Sequence, residues 1–201
     1  MPDYELPSDL LTVTVPAGQK LVRVHEVARG PVWFGPAPGK APGNRFDAPN
    51  REYRTMYSAH ALKGAFVETV LRKADRIIGR AAVDKLGWSE ITCKRELKVL
   101  KLHDNGLIFH GVTGDVCAGD DYQEPRRFAV SVHQHVAGVD GLAYRSRHNN
   151  SELCYALFDR IGSDQFVVGA CRAFRDERNT VLALMREHGA VFDPMTPLSP
   201  P

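Results

Sequence analysis

Four residues with chemically capable side chains stand at the edges of predicted secondary elements in two separate parts of the chain. In the segment GNRFDAPNREYRTMYSAHALKGAFVE, Arg45 lies in a Gly-Asn turn, Tyr57 follows a short strand-like run, and Glu68 lies on the apolar side of a helical pattern. Ser146 lies far downstream, in the polar turn of GLAYRSRHNN. An arginine, a tyrosine, a carboxylate and a hydroxyl at such edges can line one cleft for an anionic, ribose-bearing ligand, which points to NAD chemistry.

Arg45 and its neighbour Phe46 each allow two interpretations. A guanidinium can hold a diphosphate through two parallel N–H donors, and an aromatic ring beside it can stack on a flat ring of the ligand. A loop arginine more often bonds backbone carbonyls, however, and a loop phenylalanine more often anchors its own loop. The residue types alone leave both choices open.

Glu68 is the sharper anomaly, because its neighbours Phe66, Val67, Val70 and Leu71 are apolar. Its carboxylate therefore lies beside the stripe of the predicted helix that faces the core. A buried carboxylate is unfavourable unless it is paired or hydrogen-bonded, so its presence needs a reason. The alternative is a surface glutamate at the margin of the stripe.

Ser146 lacks the setting of a hydrolase nucleophile. No GxSxG surrounds it, and serine commonly occupies turns because its hydroxyl bonds the local backbone. GxGxxG and GxxxxGK[ST] are also absent from the sequence, so neither a Rossmann cofactor site nor a P-loop is indicated.

No metal site is predicted. Four widely scattered cysteines form no CxxC or CxxH pair, which favours free thiols over a structural zinc site; they are Cys93, Cys117, Cys154 and Cys171. His133 and His135 are two residues apart in a predicted helix, and this spacing places them on different faces.

Composition sets broad limits on function. The 201 residues are 43% hydrophobic and 25% charged, with a net charge of +2, which disfavours a dedicated nucleic-acid binder. The start MPDYELPSDL is acidic and polar, unlike a signal peptide. No stretch approaches the roughly 18 apolar residues of a transmembrane helix, so we expect no membrane partner and a cytoplasmic location.

Hydrophobic periodicity predicts an α+β domain rather than strict βαβ alternation. The predicted strands lie at 21–27, 53–59, within 90–102, at 141–144, 152–159 and 166–170, and the predicted helices at 60–78, 128–134 and 180–188. Arg72, Arg76 and Arg80 would form a basic ridge near the end of the first helix, either as a solvated face or as a partner surface.

No repeat or linker divides the sequence, so one domain is expected over 19–192. Residues 1–18 are interpreted as an N-terminal extension and 193–201 as a flexible, proline-rich tail. A loop of about 20 residues precedes the strand at 53–59, and loops that long are usually functional or disordered. The aromatic residues Trp33, Phe34 and Phe46 favour an ordered, functional loop.

The order and spacing of four segments resemble the RES-domain family, named for an arginine, a glutamate and a serine. The segments are VRVHEVARGPVWFGPAP, GNRFDAPNREYRTMYSA, the helix with Glu68, and GLAYRSRHNNSELCYALFDR. The resemblance implies an ADP-ribosyltransferase-like split β-sheet core with surrounding helices. It also implies a bacterial toxin that consumes NAD as a phosphorylase or glycohydrolase, with NAD as substrate and no separate cofactor, neutralised by an Xre-type antitoxin.

By motif, the family's arginine, tyrosine, glutamate and serine fall on Arg45, Tyr57, Glu68 and Ser146. The resemblance implies that Glu68 stabilises the cation that develops on ribose and that Ser146 orients the substrate. Arg45, Tyr57 and Ser146 would bind NAD, together with Phe46 and, by a thinner motif, Arg23. Modification of a protein target, an inactive interaction module and self-association remain open alternatives.

Overall fold

The computed structural model describes residues 4–37, 39–72, 76–135 and 137–194. Within these ranges the strands are β1 (Thr12–Val15), β2 (Lys20–Glu26), β3 (Thr55–Ala59), β4 (Ile77–Ile78), β5 (Leu86–Cys93), β6 (Leu97–Leu102), β7 (Gly141–Ser146), β8 (Asn149–Phe158), β9 (Phe166–Val168), β10 (Arg172–Ala173) and β11 (Val191–Phe192). The helices are α1 (Leu62–Thr69), α2 (Arg80–Asp84), α3 (Asn105–Phe109), α4 (Asp115–Ala118), α5 (Gln123–Gln134) and α6 (Arg178–Glu187).

One large mixed sheet organises the chain. Its strand order is β1-β6-β7-β8-β3-β2-β5-β10, and β9 pairs with another part of β5. The pair β6–β7 is parallel, whereas its other pairs are antiparallel. Strands β4 and β11 form a separate small parallel sheet. The predicted α+β class is confirmed.

The large sheet divides between β2 and β3. Strand β2 pairs with β5 along its whole length, and β3 does the same with β8. Between β2 and β3, however, Val22 and Ala59 form a single register pair. Because the two strands are antiparallel, the residues that follow Val22 and those that precede Ala59 flank the opening. This is the split β-sheet core expected for the fold.

The helices cover one face of this sheet. Val22 and Val24 of β2 belong to the same buried cluster as Phe66 of α1 and Phe128 of α5. Leu21 belongs to a smaller cluster on the opposite face. Alternate residues of a strand point to opposite faces of the sheet, so β2 contributes side chains to both apolar clusters.

Helix α1 approaches the sheet closely because of Gly64. A Cβ atom at this position would lie 3.0 Å from Ala59 Cβ and 3.1 Å from Glu152 Oε2. Glycine therefore allows α1 to lie directly over β3 and β8. Since residues four apart share a helix face, Glu68 is held above the same region as Gly64.

Two features of the first half of the chain were not visible in the sequence. The described part of the predicted N-terminal extension at 1–18 contains β1, which pairs with β6 as an edge strand of the large sheet. Its backbone hydrogen bonds are non-local, so the proline-rich composition did not reveal them. The single strand sought within 90–102 is instead the pair β5 and β6, and β5 begins at Leu86.

The helix predicted over 60–78 ends at Thr69. Thr69 and Val70 are β-branched, which weakens helix propensity where the helix ends. Arg72 lies beyond α1 and Arg80 begins α2, so the predicted basic ridge would continue past the end of the first helix rather than along it. Residues 73–75 lie outside the described ranges, as do 195–201 of the predicted tail. In the described part of the chain, no helix is long and apolar enough to cross a membrane.

Candidate active site

A cavity of about 200 Å³ lies where the sheet divides. Arg23 and Val24 of β2 form one side, and Tyr57 of β3 forms the other. Glu68 contributes to its wall from α1, and the turn after β7 contributes His148. Elements far apart in the sequence thus converge on the opening between β2 and β3.

The charges around this cavity are unbalanced. Four arginines line it, Arg23, Arg45, Arg72 and Arg147, whereas Glu68 is the one carboxylate in the described lining. A surplus of guanidinium groups at a concave surface attracts anions and can bond phosphate oxygens in pairs. The cavity therefore suits an anionic ligand that carries a centre of positive charge near Glu68.

Ser146 holds the carboxylate of Glu68. Its hydroxyl donates a hydrogen bond of 2.5 Å to Glu68 Oε1. Ser146 Oγ also accepts hydrogen bonds from the backbone N–H groups of His148 at 3.1 Å and Asn149 at 3.3 Å. Because a serine hydroxyl has one proton and two acceptor sites, these two donors direct the proton towards Glu68.

Ser146 lies behind the cavity wall. The residue is the last of β7, its exposed fraction is 0%, and it is absent from the described lining of the cavity. Its hydroxyl contacts Glu68, an arrangement that suits a residue positioning that carboxylate. The local polar turn was visible in the sequence, but the distance to a glutamate 78 positions earlier was not.

Glu68 is half-buried and lines the cavity. Its hydrogen bond with Ser146 is the partner that a carboxylate beside an apolar stripe requires. The structure therefore favours a site glutamate over a solvated one at the margin of the helix. Oε1 is fixed by the serine, and the carboxylate as a whole carries negative charge into the wall of the opening.

Arg45 bonds backbone carbonyls and also lines the cavity. Its guanidinium donates to the carbonyl oxygen of Gly119 at 2.7 Å and to that of Val116 at 3.5 Å. It also lies over the Tyr122 ring, 4.6 Å from the centroid. These contacts match a loop arginine that bonds backbone carbonyls. The residue nevertheless lines the cavity, and a guanidinium has five N–H donors in all.

Phe46 does not stack on a ligand in this arrangement. Its exposed fraction is 0%, and its ring packs edge-on against Tyr144 with centroids 5.1 Å apart. The structure places Phe46 outside the described cavity lining, unlike the other residues expected to bind NAD except Ser146, and its ring anchors the loop in the core. A hydrophobic side chain next to a polar site is drawn into the apolar interior when the interior is within reach.

Tyr57 lines the cavity with its hydroxyl held in place. The hydroxyl donates to Asp47 Oδ1 and accepts the backbone N–H of Phe46, each at 3.0 Å. Burial, assisted by the negative charge of Asp47, raises the pKa of Tyr57 well above its ordinary value. The side chain is thus a neutral, fixed wall of the site at physiological pH.

Arg23 projects from β2 towards the long loop before β3. Its guanidinium donates to the backbone carbonyl of Trp33 at 2.7 Å, and it also lines the cavity. Burial lowers the pKa of Arg23 to about 10, so the group keeps its positive charge at neutral pH. In the described part of this loop, Phe34 packs against the smaller apolar cluster and Phe46 is fully buried.

The lining also includes charged or titratable residues that the sequence did not assign to the site, among them Arg72, Arg147 and His148. Arg147 donates to Asp120 Oδ1 at 2.7 Å and to the carbonyl of Gly119 at 3.2 Å. These bonds tie the turn after β7 to the segment after α4. Arg147 and His148 directly follow the predicted site residue Ser146, and this proximity could have suggested them. Charged residues in turns are ordinarily solvated, however, so there was little reason in the sequence to assign them to a site.

Among the described residues, the cavity wall includes a cysteine thiol but no cluster of possible metal ligands. Cys117 lines the cavity, but burial raises the pKa of its thiol to about 12, so the group stays protonated. No group of three or more histidine, cysteine, aspartate or glutamate residues suited to a metal occurs in the described ranges. His133 instead stacks on Tyr53, with ring centroids 4.5 Å apart.

Comparisons with known proteins agree with this architecture. A chain in the crystal structure of the M. tuberculosis MbcT–MbcA toxin–antitoxin complex superposes with a TM-score of 0.64 and 16% sequence identity. The match covers 87% of this chain and 90% of that one, which shows a shared fold. No curated protein matches the sequence. The model of the RES domain matches residues 20–174, which include the opening between β2 and β3, the cavity and its lining residues. The chain therefore belongs to the RES-domain family.

Proposed function

We propose that this RES-domain protein cleaves the bond between nicotinamide and ribose in NAD, as an NAD phosphorylase or NAD glycohydrolase. The observation that carries the proposal is the Glu68 carboxylate, fixed by Ser146 in the wall of an arginine-lined cavity. One negative group among four positive ones fits a ligand whose diphosphate is anionic and whose reacting sugar becomes cationic.

The chemistry follows from the charge that develops on ribose. When the glycosidic bond breaks, its electron pair leaves with nicotinamide, and positive charge spreads over the anomeric carbon and the ring oxygen. This resembles the oxocarbenium-like transition state of glycoside hydrolysis. Nicotinamide departs as a neutral molecule, so little acid catalysis is needed. A fixed carboxylate stabilises the cation more than the ground state, which lowers the barrier.

The ligand is oriented by the remaining lining residues. In this proposal Arg45 and Arg23 bond the diphosphate through the N–H donors that remain after their backbone contacts with Gly119 and Trp33. Tyr57 packs against the nicotinamide or its ribose as a neutral wall. In this proposal NAD is the substrate, and no separate cofactor takes part.

We further propose that the protein is the toxin of a toxin–antitoxin pair. The support is membership of the RES-domain family together with the fold shared with a chain of the MbcT–MbcA toxin–antitoxin complex. The proposed partner is an Xre-type antitoxin, and the proposed location is the bacterial cytoplasm, where NAD is abundant. Self-association is a separate question that size-exclusion chromatography with light scattering addresses.

A product assay tests the proposal. Purified protein is incubated with NAD in buffers with and without phosphate, and free nicotinamide and the ribosyl product are identified by mass spectrometry. ADP-ribose identifies water as acceptor, ADP-ribose 1″-phosphate identifies phosphate, and an ADP-ribosylated polypeptide identifies a protein acceptor. Nicotinamide that never rises above the enzyme-free control, even at high protein concentration, rejects NAD cleavage.

A further inference from the structure

We propose that His148 is the general base that activates water as the acceptor in this site. This inference rests on the proposed NAD cleavage and adds to it a residue that separates hydrolysis from phosphorolysis. His148 lies in the turn between β7 and β8, and its side chain lines the cavity that Glu68 also lines.

The turn that carries His148 also fixes Glu68. The backbone N–H of His148 donates to Ser146 Oγ, and Ser146 Oγ donates to Glu68 Oε1. The segment from Ser146 to His148 therefore positions the Glu68 carboxylate and also carries the His148 imidazole. Arg147 donates hydrogen bonds to Asp120 and Gly119, and these bonds stabilise the turn from which the His148 side chain extends.

The ring of His148 is available for chemistry. It is half-buried, and the contacts found in the described ranges give its ring nitrogens no hydrogen-bond partner. Burial lowers the pKa of His148 below its ordinary value, and the positive charges of Arg147, Arg72 and Arg76 act in the same direction. Glu68 opposes this effect but does not outweigh it. The imidazole is therefore neutral at physiological pH and has one nitrogen that can accept a proton.

Water needs such a group, whereas a phosphate dianion does not. In hydrolysis the water oxygen forms a bond to the anomeric carbon as the carbon–nitrogen bond breaks, and the bonding pair leaves with nicotinamide. One water proton passes to the neutral imidazole and is later released to solvent. A phosphate dianion already carries a negatively charged oxygen, so its attack requires no proton removal. His148 should therefore matter for hydrolysis more than for phosphorolysis.

His148→Gln tests this difference, because glutamine retains hydrogen-bonding capacity but cannot act as a base at neutral pH. Single-turnover product formation is measured at saturating NAD, once in phosphate-free buffer and once in phosphate. General base catalysis contributes about 10²–10⁴ in rate, so we expect hydrolysis to fall at least about 100-fold. Phosphorolysis should stay within about threefold of wild type. The exposed His60→Gln serves as the matched control and should alter neither rate.

Several results would overturn the role of His148 while leaving NAD cleavage intact. The first is hydrolysis by His148→Gln at more than a third of the wild-type rate. The second is an equal loss of rate in phosphate-free and phosphate buffer. The third is a wild-type enzyme that accepts phosphate but not water. A pH profile supplies a further readout. Wild-type hydrolysis should fall as pH drops through a pKa below 6.5, the ordinary value, and this acid limb should vanish in the variant. Absence of cleavage in every buffer would instead reject the proposed function.

Discussion

At the scale of single residues, the pair formed by Glu68 and Ser146 dominates the proposed chemistry. Glu68→Gln preserves shape and most hydrogen bonding but removes the negative charge. Loss of one electrostatic contact to a transition state lowers rates by about 10²–10³, so we expect turnover to fall by that factor with little change in NAD affinity. Single-turnover cleavage and a melting curve should be measured on the same sample. A folded variant that keeps more than about a tenth of wild-type turnover would contradict the role of Glu68.

Ser146 should act on turnover only through Glu68. Ser146→Ala removes the bond to Oε1 and leaves two half-buried N–H donors without their acceptor, so both rate and stability should decrease. We expect roughly a tenfold loss of turnover, the value of one hydrogen bond to a charged group. In a double-mutant cycle, Ser146→Ala should cost almost no further turnover in the Glu68→Gln background. Additive losses would show that Ser146 acts independently of Glu68.

Arg45 should affect both ligand binding and stability. Arg45→Ala removes a cavity guanidinium that also bonds Gly119 and covers Tyr122. We expect NAD affinity to fall about 10- to 100-fold, equivalent to about 1.5–3 kcal/mol, and the melting temperature to fall as well. Arg45→Lys should not restore binding, because lysine lacks the planar fork.

Arg72 provides the comparison for Arg45, because it lines the same cavity but is exposed. Arg72→Ala should weaken NAD binding less and leave the melting temperature unchanged. Calorimetry and thermal unfolding on both variants separate the two effects. If Arg45→Ala lowers the melting temperature but leaves the NAD dissociation constant at the wild-type value, its role is confined to bonding the loop carbonyls.

At the scale of elements, the close packing of α1 against the sheet determines where Glu68 lies in the cavity wall. In Gly64→Ala, the added methyl meets Ala59 and Glu152 at 3.0–3.2 Å. Overpacking costs about 1–3 kcal/mol, and the gain in helix propensity offsets about 1 kcal/mol of it. We expect a net loss of stability together with reduced turnover, since α1 must shift away from β3. Urea unfolding and steady-state kinetics measure the two quantities.

Gly30→Ala is the matched control for this substitution. Gly30 is exposed, and an added Cβ atom would meet nothing within 4 Å. The control should match wild type in both measurements. A Gly64→Ala protein that is as stable and as active as the control would show that close packing of α1 against the sheet does not determine the site.

At the scale of the whole molecule, the sheet extends beyond the segment matched by the family. Deleting residues 1–18 removes β1 from the edge of β6, and with it the buried side chain of Val15. Burial of one valine contributes about 1.5–3 kcal/mol, so the deletion should lower the free energy of unfolding by at least that amount. The divided region between β2 and β3 is several strands away, so the KM for NAD should stay near the wild-type value.

Thr14→Ala, on the exposed side of β1, is the control for the deletion and should shift stability by less than about 0.5 kcal/mol. Urea unfolding measures both proteins. A truncated protein with wild-type stability would restore the interpretation of residues 1–18 as a dispensable extension. A changed KM would show instead that the far edge of the sheet influences the opening between β2 and β3.

The sequence pattern alone predicted the environment of those residues whose immediate neighbours in the chain indicate burial. The apolar flanks of Glu68 indicated a carboxylate near the core, and the alternation of apolar and polar residues at 21–27 indicated the half-buried strand β2. These features depend on side-chain direction within one element, which follows from the helical and strand periods. The α+β class and the strand-edge positions of Tyr57 and Ser146 followed from the same periods.

Tertiary structure alone decided how these elements meet. The single pair between Val22 and Ala59 opens the sheet, and the bond from Arg45 to Gly119 spans 74 positions. Ser146 reaches Glu68 and not the ligand space, whereas His148, two residues later, enters the cavity wall. Such outcomes depend on strand pairing and competition for burial between distant segments, and neither is encoded in the pattern of any one segment. The sequence therefore determined which chemical groups were present, and long-range packing decided which of them share the cavity.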